Sequence, residues 1–249
     1  MREAVLVTSR ASHFHAHHAP NMISNALSSA MPVIAIDGPT ASGKGTVAHR
    51  VADALGFHYL DSGALYRLTA LAATKAGMTL SDEAAVAEIA RGLETRFVGE
   101  TVLLSGVDVT DAIRTETAGQ NASLVAAMPS VRTALLERQR AFAESPGLVA
   151  DGRDMGSVVF PDAMMKIFLT ASVDARAERR LNQLIQKGNP AILRDVVKEL
   201  RIRDERDINR PVAPLMHLID AQLLDTTAIS ANEAVEQILR WVKKRSIAE

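Results

Sequence analysis

The sequence predicts an α/β fold in which a parallel β-sheet is covered by helices on both faces. Two observations indicate this class. Short apolar runs, β-branched in part, alternate with longer segments that read as helices, and this order builds parallel sheets. A glycine-rich segment also follows the first apolar run and opens the first predicted helix. Ligands are therefore expected at the carboxyl ends of the strands.

The predicted strands are short and apolar, and Val33–Asp37, which is followed by Gly-Pro, is typical of a buried parallel strand. The other predicted strands are Phe57–Leu60, Leu148–Asp151, Lys166–Thr170 and Leu223–Asp225. Gly56 stands where a C-terminal cap ends the first helix, and Ser230 with Glu233 forms a capping box for the last. The predicted helices are Lys44–Leu55, Ala64–Lys75, Asp82–Gly92, Asp111–Ala127, Pro129–Glu144, Val173–Lys187, Ala191–Arg206 and a closing helix to about Lys244.

Two segments add to this alternation. Short alternating runs between Thr95 and Thr110 predict a small antiparallel hairpin, within an insert of about residues 80–112. The two polar-faced helices around the break Gly188-Asn189-Pro190 predict a short lid of about residues 174–192.

Composition limits the classes of function. The 249 residues are 47% hydrophobic and 23% charged, as in ordinary globular enzymes, and the net charge of −1 does not indicate binding to nucleic acid or membranes. The absence of cysteine excludes disulfides, thiolate nucleophiles and Cys-based metal sites. No apolar run approaches the roughly 18 residues of a membrane helix. We expect a cytoplasmic monomer that binds neither nucleic acid nor membrane.

Residues 1–30 differ from the rest and are expected to form a tail before a single domain of residues 31–245. Four of the seven histidines lie in His13–His18, which either bind a metal or belong to a solvated tail. The tail lacks the apolar region of a signal peptide. Because Met31 directly precedes the first strand, we hypothesise that it is the translation start or the start of the folded domain.

The segment GPTASGKGT matches the pattern G-x-x-x-x-G-K between a strand and a helix, as in a P-loop. Glycines let the backbone approach phosphate oxygens, which backbone N–H groups and the helix N-terminus bind. Lys44 adds a mobile positive charge at the β- and γ-phosphates; a glycine-rich turn with a surface lysine is the alternative. The fold is therefore predicted to be of the P-loop NTPase type. The residues expected to bind ATP are Gly38, Pro39, Thr40, Ala41, Ser42, Gly43, Lys44, Gly45 and Thr46.

Gly45 occupies the position where a P-loop usually carries the Ser or Thr that holds Mg²⁺. Thr46 can still contact phosphate or metal-bound water, and Asp37 is a second candidate near those waters. Asp37 could instead only brace the loop. We expect no direct protein ligand to Mg²⁺.

Three guanidinium groups share one face of a predicted helix, because Arg203, Arg206, Asp207 and Arg210 lie at i, i+3, i+4 and i+7. They would repel one another unless an anion lies among them, although a salt-bridged, solvated face is the alternative. The arrangement suggests a site for several phosphates.

Five further arginines are candidates for the same site. Arg67 and Arg153 each follow a strand end and can converge on one cleft, where guanidinium groups bind phosphate bidentately. Arg176, Arg179 and Arg180 either close over ATP as a lid or are ordinary exposed helix charges.

Three segments carry a resemblance to a known family: DSGALYR at 61–67, DGRDMGSVVFP at 151–161 and RDERDINR at 203–210. With the loop ending G-K-G-T, they resemble the bacterial cytidylate kinases, which are nucleoside monophosphate kinases, from Met31 to Lys244. The resemblance implies transfer of the γ-phosphoryl group of ATP to CMP or dCMP, with Mg²⁺, and a monophosphate-binding role for the insert. A kinase for another nucleoside monophosphate is the alternative.

The resemblance also implies roles for single residues. Lys44, Arg153 and Arg210 would be catalytic, and Arg179 would join the ATP site. A carboxylate such as Asp154 suits the N4 amine of cytosine, although an ion pair with a nearby arginine is its alternative function. The implied acceptor-site residues are Arg67, Arg153 and Arg210 for the phosphate, Ser62, Arg132 and Asp154 for the base, and Ser123, Arg203 and Asp207 for the pentose.

Overall fold

The computed structural model describes residues 31–99, 101–186 and 188–248, with side chains up to residue 245. The predicted tail, with its histidine cluster, lies outside the described residues.

The strands and helices alternate along the chain much as predicted. The strands are β1 (Val33–Asp37), β2 (His58–Asp61), β3 (Thr95–Val98), β4 (Thr101–Leu104), β5 (Val107–Asp108), β6 (Leu148–Gly152), β7 (Met165–Thr170) and β8 (Gln222–Asp225). The helices are α1 (Lys44–Leu55), α2 (Ser62–Lys75), α3 (Glu83–Arg91), α4 (Glu116–Val125), α5 (Pro129–Arg140), α6 (Val173–Gln186), α7 (Leu193–Asn209) and α8 (Ala231–Ala248).

The central sheet has five strands in the order β2-β6-β1-β7-β8, and all its neighbouring strands are parallel. Side chains of β1 alternate between the two faces of the sheet. Val33 and Ala35 pack with residues of α2, α3 and α5, whereas Ile34 and Ile36 pack with residues of α1 and α8. The fold is therefore the predicted α/β class, with helices on both faces.

The predicted insert contains α3 and a separate antiparallel sheet of three strands, β3-β4-β5, where the sequence predicted a hairpin. Phe97 of this sheet packs edge-to-face on Phe142, with ring centroids 5.9 Å apart, which joins the insert to the core.

Two helix predictions need correction. The predicted helix Asp111–Ala127 is divided, because Thr115 is extended and accepts a hydrogen bond from the Ala118 N–H (3.1 Å), which starts α4 anew. A short 3₁₀ turn, Ala112–Arg114, precedes it. The helix predicted to end at Arg206 continues to Asn209 and ends there because Arg210, which precedes Pro211, is extended.

A single π-helical turn, Met155–Val159, follows β6 and was not predicted. Among the helices of the described ranges, none is both long and apolar enough to cross a membrane.

Candidate active site

A cleft of about 300 Å³ opens at the carboxyl ends of β2 and β6, beside the loop that follows β1. It is bounded by the phosphate loop, the start of α2, and residues of α4, α6 and α7. The sequence-predicted residues that line it are Ala41, Ser42, Gly43, Lys44, Gly45, Thr46, Ser62, Arg67, Ser123, Arg153, Asp154, Arg179, Arg180, Arg203, Asp207 and Arg210. Segments more than 160 residues apart in sequence thus meet in one cleft.

The phosphate loop leaves β1 through a tight crossing that only glycine permits. Gly38 has φ of 155°, and a Cβ built on it would lie 2.0 Å from the Leu169 carbonyl oxygen. Gly38, Pro39 and Thr40 therefore form the base of the loop, away from the cleft, whereas Ala41–Thr46 face it.

Lys44 is buried at the loop, and its Nζ donates to the Pro39 carbonyl (2.9 Å). Burial, and next the positive charge of Arg153, lower the pKa of Lys44 to about 7. The Ser42 hydroxyl is also buried, without a hydrogen-bond partner among the described residues. A bound polyphosphate would supply a negative charge beside the lysine and a hydrogen-bond acceptor for the unpaired hydroxyl.

Asp37 lies at the end of β1, but its carboxylate does not line the cleft. Its two oxygens accept hydrogen bonds from the Met155 and Gly156 N–H groups, each at 2.8 Å. Burial raises its pKa to about 6. These contacts brace the backbone after β6, which is a different segment from the loop that the sequence suggested, and a role at the metal waters stays a prediction.

Asp154 stands between two buried arginines. Its Oδ2 pairs with Arg132, and its Oδ1 accepts from Nη2 of Arg210 (3.3 Å). Arg132 lies behind the cleft wall, with its guanidinium 5.7 Å from the ring centroid of Tyr66. All three predicted base-site side chains are buried. The Ser62 hydroxyl donates to the Asp151 carbonyl (2.7 Å).

The remaining acceptor-side arginines also have partners. Arg153 donates through Nε to Asp207 (2.7 Å), and Arg67 donates to the Ile113 carbonyl (3.3 Å). Arg203 pairs with Glu116 of α4 through Nη1 (3.1 Å), while its buried Nε has no partner among the described residues. The site thus holds several guanidinium groups with counter-charges beside them.

Ser123 and Arg206 show how α4 and α7 meet. Nη1 of Arg206 donates to the Ser123 hydroxyl at 2.9 Å, although Arg206 itself does not line the cleft. The predicted shared face is therefore divided. Arg203 and Asp207 of α7, and Arg210 just past the end of the helix, line the cleft, whereas Arg206 lies beside it.

The three arginines of α6 have different environments. Arg179 lines the cleft and donates to the Thr226 carbonyl and hydroxyl, and Arg180 pairs with Glu116. Arg176 is buried and contacts Thr40 and Asp204, so it is neither a lid residue over the cleft nor an exposed helix charge.

Three residues near the cleft, Asp151, Glu116 and Asp204, were not assigned from the sequence. Asp151 ends β6 and accepts a hydrogen bond from the Tyr59 hydroxyl (2.7 Å), while burial, and next Asp61, raise its pKa to about 6. Its place at the end of an apolar strand could have identified it. Glu116 and Asp204 carry no such signal, because their partners are distant in sequence.

A bound Mg²⁺ would have few protein ligands here. Within the described ranges, no cluster of three or more His, Asp or Glu side chains could hold a metal ion. Thr46 and Asp151 are among the oxygen-bearing side chains that line the cleft with Lys44, and a Cβ on Gly45 would lie 3.4 Å from Asp151 Oδ2. This sparse set fits an ion held mainly by phosphate oxygens and water, as Mg²⁺ prefers.

Comparison with known proteins gives one consistent family. Residues 34–244 match the family model described as cytidylate kinase. Cytidylate kinase of Bordetella bronchiseptica is 57% identical over 218 residues, which cover 88% of this chain and 98% of that protein. Cytidylate kinase of Bordetella pertussis is 59% identical over 210 residues (84% and 94%), and that of Cupriavidus necator is 57% identical over 209 residues (84% and 94%). The chain therefore belongs to the cytidylate kinase family.

Proposed function

We propose that this enzyme transfers the γ-phosphoryl group of ATP to CMP or dCMP and releases ADP with CDP or dCDP. One observation supports this most directly: a phosphate loop with a buried lysine and a cluster of arginines line the same cleft. The identity with cytidylate kinases over most of the chain supports the choice of acceptor.

The loop is the donor site in this proposal. Backbone N–H groups of Ala41–Thr46, the N-terminus of α1 and Lys44 bind the β- and γ-phosphates of ATP. Arg179 binds the same polyphosphate from the side of α6. Mg²⁺, when bound, neutralises charge on the β- and γ-phosphate oxygens; Thr46 and Asp151 would contact it or its waters.

The arginine cluster is the acceptor site. Arg67, Arg153 and Arg210 bind the phosphate of CMP and direct it toward the loop, and Arg203, Asp207 and Ser123 contact the pentose. This phosphate is already ionised at neutral pH, so transfer needs no general base, and positioning with charge stabilisation lowers the barrier. Lys44, Arg153 and Arg210 act on the moving group.

Asp154 would read the cytosine. A carboxylate has about four lone-pair positions, so it can keep both arginines and still accept from the N4 amine. Uracil has a carbonyl at this position, which would face the carboxylate without a hydrogen bond. Ser62 and Arg132 complete the base site. We also propose that the enzyme is active as a monomer.

A coupled ADP-release assay with ATP, Mg²⁺ and CMP, dCMP, UMP, AMP, GMP and dTMP tests the proposal. We expect the highest kcat/KM for CMP and dCMP, and the assay without acceptor measures ATP hydrolysis as the control. Preference for another monophosphate would favour the alternative kinase, and no transfer to any acceptor would refute the proposal.

A further inference from the structure

Every polar group of Thr40, at the bend of the phosphate loop, is held by a side chain from elsewhere in the fold. Its N–H donates to Oδ1 of Asp204 (2.9 Å), and its carbonyl accepts from Nη1 of Arg176 (2.8 Å). Its hydroxyl accepts from Nη2 of Arg153 (3.2 Å). Thr40 is only 5% exposed, so water does not replace these contacts.

Arg176 and Asp204 also bind each other, with 2.6 Å between Nη1 and Oδ2. Arg176 lies in the first turn of α6 and donates through Nε to the Ala171 carbonyl (3.0 Å), which fixes its direction. Asp204 lies on α7. The guanidinium and the carboxylate meet at the backbone of Thr40, so the pair connects α6 and α7 to the phosphate loop.

The contacts of Thr40 bear on the backbone conformation of the next residue, Ala41. Ala41 has φ of 58°, a left-handed conformation that is unfavourable for a residue with a Cβ. Such a conformation persists only where the surroundings determine it. The methyl group of Ala41 packs against the small apolar cluster between α6 and α7, Ala177, Val196 and Leu200. The same two helices therefore hold Thr40 by hydrogen bonds and Ala41 by packing.

We propose that Arg176 and Asp204 are positioning residues for ATP. They hold Thr40 so that Ala41 keeps its left-handed turn and the following N–H groups point into the phosphate site. They also couple the loop to α7, whose Asp207 fixes Arg153, the third partner of Thr40. The inference deepens the proposed function and rests on it in one respect, namely that ATP binds at this loop.

Asp204→Asn tests the pair, because the amide can still accept from the Thr40 N–H but cannot pair with Arg176. We expect the Kd of MgATP, measured by calorimetry without acceptor, to rise about ten- to a hundredfold, as loss of precise positioning does. The KM for ATP should rise in parallel, while the KM for CMP changes far less. A purely structural pair would lower Tm and leave the Kd of ATP within about twofold of the parent enzyme in the folded variant, which would overturn the proposal.

Asp220→Asn is the matched control, since it removes a carboxylate that pairs with Lys166 (2.7 Å) away from the cleft, and its ATP affinity should equal that of the parent. Arg176→Lys is the second variant if Asp204→Asn does not fold. Lysine keeps the charge but lacks the guanidinium that reaches Thr40, Asp204 and Ala171 together. We therefore expect a several-fold rise in the Kd of MgATP, and an affinity equal to that of the parent would refute the positioning role. A parent enzyme that binds ATP but does not phosphorylate CMP would disprove the proposed function alone.

Discussion

The proposed donor and acceptor halves of the cleft hold their positively charged groups by different means. The proposed donor half consists of a backbone loop with one lysine, together with Arg179 from α6, and burial lowers the pKa of the lysine to about 7. On the acceptor half, Arg132, Arg153, Arg203 and Arg210 each pair with an aspartate or glutamate. These pairs hold the proposed acceptor arginines in place before a substrate binds. The lysine of the donor loop, in contrast, gains further negative charge beside it only when the phosphates of ATP bind.

The largest difference between the halves should appear when the lysine is removed. We expect Lys44→Ala to lower kcat by about a hundred- to a thousandfold, because it removes the single side-chain cation of the loop at the developing charge. Tm is measured in parallel, because the substitution takes a positive charge away from the buried carboxylate of Asp151. The exposed Lys75→Ala is the control in the same ADP-release assay. Near-normal turnover would refute the donor-loop assignment.

On the acceptor half, Asp154→Asn should reduce the preference for CMP over UMP. The cost of an unpaired buried polar group is about 1–3 kcal/mol, which corresponds to about a five- to 160-fold change in the ratio of kcat/KM values. Removing the charge between two buried arginines should also destabilise the fold by about 3–5 kcal/mol, so Tm is measured in parallel. Asp162→Asn, at an exposed position, is the control. An unchanged CMP:UMP ratio would contradict the base-reading role of Asp154.

A pH experiment tests whether Lys44 of the donor loop gains a proton when ATP binds. With a pKa of about 7, Lys44 is mostly neutral at pH 8, and bound phosphate would restore its proton. ATP binding at pH 8 should therefore take up about 0.9 proton, and Kd should rise about fivefold from pH 7 to pH 8. Asp37 and Asp151, with pKa values of about 6, are already ionised in this range.

Calorimetry in buffers of different ionisation enthalpy measures the proton uptake. Lys44→Arg is the matched variant, because a guanidinium stays protonated and should abolish the uptake. Equal uptake by the parent and this variant would show that another group carries the proton.

The smallest expected effect concerns Gly119 of α4, which leaves space for the guanidinium of Arg203. A Cβ on Gly119 would lie 3.2 Å from Nη2 and 3.3 Å from Nη1 of Arg203. We expect Gly119→Ala to raise the KM for CMP about twofold, because the guanidinium must shift, while the helix gains up to about 1 kcal/mol of stability. Thr117→Ala, exposed on the same helix, should raise Tm without the change in KM. A lower KM in Gly119→Ala would contradict the proposed contact of Arg203 with the pentose.

Local patterns made the fold and the donor loop predictable from sequence. The loop is contiguous, and strands, caps and turns carry signals within a few residues, as at Gly56 and Ser230. Family resemblance, in contrast, suggested the acceptor residues. Arg176 shows the limit, because its burial against Thr40 depends on a contact 136 residues away. The pairing of Glu116 with both Arg180 and Arg203 depends likewise on how three helices pack.

The carboxylate of Asp37 limits which changes near residue 154 could be used to redesign the base preference of the enzyme. It accepts from the two N–H groups that directly follow Asp154, so the aspartate proposed to read the base is fixed to the strand that enters the phosphate loop. Substitutions of the side chains at positions 62, 132 and 154 would leave these two bonds in place, although Asp154 also carries the two arginine pairs. An insertion or deletion between 154 and 156 would instead detach that backbone from Asp37 and shift the nucleobase relative to the phosphates.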